Sequence, residues 1–110
     1  MNRILLYLRD VWRGDRLGGL RSSGWSQFRK ENIGKECRAC GQPGKLLSPL
    51  ELHHCEPFSK NPARELDKTN IITLCRTCHF LLAHLKNFKS YNINIKEDAK
   101  ALRDKINSRP

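Results

Sequence analysis

At 110 residues, of which 38% are hydrophobic and 7% aromatic, the chain is sized for one small domain whose core alone is marginal. Lys and Arg outnumber Asp and Glu by 21 to 11, a formal charge of +10. Such an excess exceeds what hydration of a small surface needs and favours a polyanionic partner, because neutralising phosphates releases counterions.

In chain order, Ile4, Leu5, Leu8, Val11 and Trp12 fall on one stripe of a short N-terminal helix. That opening does not read as a secretory signal, since Arg9 and Asp10 break its apolar run and no small-residue cleavage site follows. No stretch approaches transmembrane length, so the expected location is cytoplasmic, with no membrane partner. A glycine-rich basic connector follows, giving an N-terminal unit at residues 1–22. A second helix is expected from Ser22 or Ser23, with Trp25 and Phe28 inward, Arg21, Arg29 and Lys30 on its wet side, and Gly34 as its stop.

"CRACG" reads as a tight knuckle, residues 50–55 as a strand ended by Pro57, and residues 70–75 as a second, β-branched strand. "CRTCHFLLAHLKNF" turns from a second knuckle into a helix with Phe80, Leu81, Leu82 and Leu85 as its apolar residues. Asn94 is placed to cap a last helix in a capping box with Glu97, and Ala99, Leu102 and Ile106 form its inner stripe. That helix, residues 93–110, is expected to pack on a central domain at residues 23–92.

Five cysteines form an odd count, and four of them make two C-x-x-C pairs: Cys37, Cys40, Cys75 and Cys78. Four thiolates at knuckle spacing suit a closed, tetrahedral structural zinc, with an iron–sulfur cluster or a redox dithiol as alternatives. The 34 residues between Cys40 and Cys75 exceed the roughly 15–20 of common zinc ribbons, so this clamp encloses an insertion. Cys55 remains outside it, read as a small buried residue beside His54.

The insertion carries His53, His54 and Asn70, and His79 follows the second knuckle. Each has an ordinary explanation alone, as a half-buried strand, turn or helix residue. Together the run "CRAC…LELHHCEPF…ELDKTNIITLCRTCH", with "RSSGWSQFRKEN" before it and "AHLKNFKSYN" after it, resembles the HNH endonucleases, in particular a small phage and bacterial branch with a four-cysteine zinc site. The resemblance implies an α+β fold: a small zinc-stabilised ββα-metal core with flanking helices. It implies His53 and His79 as ligands of a catalytic divalent metal, His54 as general base, and Asn70 as the residue that holds His54 in register.

Many relatives carry aspartate where this chain has His53, and nitrogen ligands favour Zn2+, Ni2+, Co2+ or Mn2+ over Mg2+. His84 lies about 140° round a regular helix from His79, so it is expected as a packing or phosphate-contact residue before a ligand. Neighbouring strand residues point to opposite faces, so a bulge or turn near Cys55 is expected if His53 and His54 serve one site.

The leading expectation is a metal-dependent DNA endonuclease of low sequence specificity that nicks or cuts both strands. Arg21, Arg29, Lys30, Arg76, Lys86 and Lys89 are its candidate phosphate contacts, since backbone contacts carry no sequence information. Double-strand cleavage by one site per chain would call for a homodimer or a second encounter, and phage packaging or restriction partners accompany the branch resembled. A non-catalytic zinc-stabilised DNA-binding module is the alternative. An RNA-processing nuclease or a translational zinc ribbon is a third, which keeps the charge but not the histidine spacing.

Overall fold

The computed structural model describes residues 22–109; the N-terminal helix and Arg21 lie outside them. Helix α1 (Trp25–Asn32) precedes an antiparallel hairpin of β1 (Glu51–His54) and β2 (Ile71–Leu74). A single helical turn α2 (Arg76–Cys78), a π-helix (His79–Ala83) and helix α3 (Ile95–Asn107) complete the order. Two short 3-10 turns, Pro62–Arg64 and Lys68–Asn70, lie in the connection between the strands. The small zinc-compatible α+β architecture is the one expected.

Register pairs Glu51 with Leu74, Leu52 with Thr73, His53 with Ile72 and His54 with Ile71. Opposed residues share a face, so His53 stands with Glu51, Ile72 and Leu74, whereas His54 stands with Leu52, Ile71 and Thr73. Both faces of each strand are covered, which explains strands richer in apolar residues than a half-solvated hairpin needs.

The core is assembled around the cysteines: Cys37, Cys75 and Cys78 are buried with Leu50, Ile72, Leu74, Ala83, Ile95 and Ala99. Among the largest fully buried side chains only Leu74 and Ile95 are aliphatic; the others are Asn70 and Cys37. The remaining buried aliphatics, Leu50, Leu52 and Ile72, are covered nearly as well, so the core is real but small. A cross-link through the cysteines therefore carries weight here that a larger core would carry elsewhere.

Several local expectations change. Helix α1 starts at Trp25 after Gly24, and ends at an extended Ile33 before Gly34 is reached. The capping box at α3 does not form: the Asn94 side chain makes no cap bond. Asn92 does that work instead, its Oδ1 accepting from the Asn94 N–H and its Nδ2 donating to Asp98 and to the Leu82 carbonyl. Leu81, Leu85 and Ile106 are exposed, because the helix after the second knuckle is short and α3 projects beyond the core. That helix closes with Leu85 and Lys86 at positive φ (53° and 69°), the Lys86 N–H reaching back to the Phe80 carbonyl.

Candidate metal and catalytic site

The two C-x-x-C pairs precede and follow the hairpin in sequence and meet at the end where Glu51 pairs with Leu74. In the first, Gly41 (φ 81°) turns the chain so that its N–H bonds the Cys37 carbonyl, while the Cys40 N–H points at Cys37 Sγ, 3.5 Å away. The second repeats this, with the Cys78 N–H 3.4 Å from Cys75 Sγ. All four sulfurs lie within 4.8 Å of one another, and Cys40 Sγ is 3.7 Å from Cys75 Sγ. That is too long for a disulfide and close to the separation of about 3.8 Å that two thiolates adopt on a tetrahedral zinc with 2.3 Å bonds. Burial pushes the Cys40 and Cys78 thiols up, while backbone N–H groups outweigh burial at Cys37 and bring it down to about 7. The donor set and spacing fit a metal, and zinc stabilisation is consistent with them. Cys55 lies apart and half-buried, its thiol pushed up by burial.

A second group of ligand-type side chains forms apart from the cysteines. His53 Nδ1 is 3.1 Å from His79 Nε2, which is in turn 3.2 Å from His84 Nε2. His84 is therefore not carried away by 140° of helix. The π-helix (His79–Ala83) is wider than an α-helix, and the His84 N–H bonds the His79 carbonyl five residues back, so the two side chains share one face.

The outer nitrogens are committed. His79 Nδ1 is 2.9 Å from Glu51 Oε1 and His84 Nδ1 is 2.8 Å from the Ser90 carbonyl, so each Nδ1 carries the proton. With both rings neutral, the two Nε2 atoms present lone pairs to each other at 3.2 Å, an arrangement that a cation between them would relieve. Burial and the neighbouring imidazoles hold His53 well below the ordinary imidazole range, and burial lowers His84, so both are in the neutral form that coordination requires. His53 Nε2 is the buried side-chain nitrogen left without a hydrogen-bond partner among the described residues. These observations make the trio chemically suited to a divalent ion.

His54 lies across the strand. Its Nε2 donates to the Glu65 carbonyl at 2.8 Å and its ring stacks on Trp25 at 4.8 Å. The carbonyl assigns the proton to Nε2, so Nδ1 is the basic nitrogen. Asn70, buried at 1% exposure, fastens the backbone that presents Glu65: its Oδ1 accepts from the Glu56 N–H, and its Nδ2 donates to the Glu56 and Arg64 carbonyls. The Asn70 carbonyl accepts from the Cys55 N–H at 2.7 Å. Strand β1 itself is regular to His54; the chain bends only at Cys55 and Glu56.

Both histidines nevertheless reach one space. In a two-stranded sheet β1 has a free outer edge, and a cavity of about 400 Å³ wraps that edge, taking His53, His79 and His84 from one face and His54 and Trp25 from the other. Arg29, Lys60 and Lys89 also line it. Lys30, Arg76 and Lys86 are exposed but lie outside this cavity. Sequence reasoning had passed over Glu51, although its place two residues before His53, on the same strand face, was a readable signal. Lys60, Ser90 and the Glu65 carbonyl carried none, because loop geometry alone brings them in.

Among the described residues no helix is long and apolar enough to cross a membrane. No curated protein and no solved structure matches the chain. The family model for HNH endonuclease matches residues 37–81, a span that runs from the first cysteine of the clamp through His53, His54, Asn70 and His79 and stops short of His84. Residues 37–81 are thus similar to an HNH endonuclease domain.

Proposed function

We propose that this protein is a metal-dependent DNA endonuclease that hydrolyses phosphodiester bonds with low sequence specificity. His54 is its general base, zinc occupies the four cysteines, and one divalent ion is held by His53 and His79 with His84 as third ligand. The observation that carries the reading is the convergence of ring nitrogens of His53, His79 and His84 within 4.8 Å of one another, beside a cavity that also receives His54.

In this reading His54 Nδ1 takes a proton from the attacking water, which requires the Nε2–H to stay on the Glu65 carbonyl throughout. Asn70 keeps that carbonyl in place by tying Glu56 to Arg64. Glu51 and the Ser90 carbonyl keep the Nδ1 protons of His79 and His84 outward, so that Nε2 faces the ion. Arg29, Lys60 and Lys89 receive the phosphate backbone at the cavity wall. A divalent ion on the three imidazoles would supply Lewis-acid polarisation and charge relief at the leaving 3′ oxygen. Nitrogen ligands favour Zn2+, Ni2+, Co2+ or Mn2+ for this task over Mg2+.

The test is cleavage of supercoiled plasmid by zinc-loaded protein with each ion added in turn, beside His54→Ala. Ion-dependent nicking that falls by about 10²–10⁴-fold in the variant is expected. One observation favours the non-catalytic DNA-binding module instead, namely the burial of His54 at 6% exposure. DNA binding with no cleavage under any ion would select it.

A further inference from the structure

Away from the histidines a larger groove, of about 680 Å³, runs between β2, the first knuckle and α3. Of the residues that line it only Leu52 also lines the histidine cavity, and none of the four histidines does. Its cations are Arg38, Lys68, Lys96, Lys100 and Arg103, and it contains no carboxylate. Arg103 pairs with Glu36 and donates to the Cys37 carbonyl, and Lys100 pairs with Asp104. Lys96 donates only to the Thr69 carbonyl, which leaves its charge uncompensated. Among the described residues Arg38 and Lys68 pair with no carboxylate. Three positive charges therefore remain unneutralised along one trough, and the Lys100–Asp104 pair is solvent-exposed and screened, which leaves Lys100 open to a phosphate as well.

The groove cations carried by α3 are regularly spaced. Lys96, Lys100 and Arg103 recur at i, i+4 and i+7, so they occupy one face of α3 over about 10 Å. One strand of duplex DNA carries a phosphate every 3.4 Å or so of axis, so such a span follows about three of them. An acidic peptide has no comparable fixed repeat.

We infer that this groove binds the phosphate backbone of duplex DNA at a point separate from the cleavage cavity, giving the domain two backbone contacts, one along β2 and α3 and one at the outer edge of β1. The inference rests on the nucleic-acid partner of the proposed function but not on hydrolysis. Two separated contacts fix the direction of the duplex across the hairpin, whereas a single one leaves it free to pivot.

The test uses the full zinc-loaded chain and a fluorescein-labelled DNA duplex, with anisotropy titrations over a range of salt. Lys68→Glu/Lys100→Glu should bind about tenfold or more weakly, with a salt slope shallower by about two. A charge-matched control, Lys45→Glu/Lys105→Glu, changes exposed residues outside both the groove and the cavity and should bind nearly as the parent does. Should the acidic pair disturb the zinc content, Lys68→Gln/Lys100→Gln serves in its place, with the same direction and a smaller loss. Equal loss in the control, or no loss in the groove variants, overturns the inference. So does displacement of the duplex by polyglutamate at equal charge concentration. Hydrolysis of bis(p-nitrophenyl) phosphate, too small to span both sites, reports on the histidine site alone. An inert protein whose duplex binding still depends on Lys68 and Lys100 would retire the endonuclease and keep the groove.

Discussion

The cysteine cluster and the histidine cluster lie on one short hairpin and are built in different ways. Each cysteine pair is closed locally, by a three-residue turn whose N–H points at sulfur, and the two pairs meet in the buried core with Leu74 and Ile95. The histidines come from β1, a π-helix and its terminus, are oriented by Glu51 and Ser90, and line an open cavity. A closed sulfur site is suited to cross-link a chain whose aliphatic core is small; an accessible nitrogen site has room for substrate. The same contrast separates ligands that hold a fold from ligands that hold a reacting group.

Breaking the sulfur side should do the most damage. Cys37→Ser or Cys75→Ser is expected to abolish the cooperative thermal transition, because zinc bound at the four thiolates would contribute roughly 10 kcal/mol of folding free energy. Retention of a native-like melt with one equivalent fewer of zinc would remove the difference drawn between the clusters. His54→Ala should leave melt and metal content unchanged while cleavage falls by the factor stated above, and an unaltered rate would refute its role as base.

Asn70→Ala lies between these extremes. It strands the Glu56 N–H and two carbonyls in a buried place, at about 1–3 kcal/mol for each group left unsatisfied. A lower melting temperature together with slower cleavage is expected; full activity at full stability would deny it any hold on His54. His84→Ala should weaken Ni2+ or Zn2+ binding at the second site by calorimetry while the cysteine-bound metal stays, and equal affinity would leave His53 and His79 as a two-histidine site. The smallest effect belongs to Glu51→Gln, which keeps shape but removes the charge facing His79 Nδ1. A loss of about tenfold in affinity for the second ion is the expected reading, and no loss would reduce Glu51 to a solvated strand residue.

Legibility followed distance along the chain. The strands were readable to within a residue because an apolar run ended by Pro57 and a β-branched run ended by Cys75 have one comfortable pairing. The two knuckles were readable because their geometry closes within four residues. The capping box at Asn94 was misread because two neighbouring asparagines compete for the same helix end, and Asn92, held also by the Leu82 carbonyl, wins. His84 was misplaced because helical angles assume 3.6 residues per turn, and the chain adopts the wider π form there.

From sequence alone come the cysteine clamp, the hairpin it encloses, the adjacent His53 and His54, and the basic balance of charge. Each is set by spacing or composition within short stretches. Tertiary structure decided which nitrogen of each histidine faces inward, that His84 joins His53 and His79, and that one cavity takes side chains from both faces of β1. It also decided that five scattered cations line a second groove. The reason is physical: tautomers and side-chain convergence depend on partners such as Glu51, Glu65 and Ser90, whose positions only the packed loops determine.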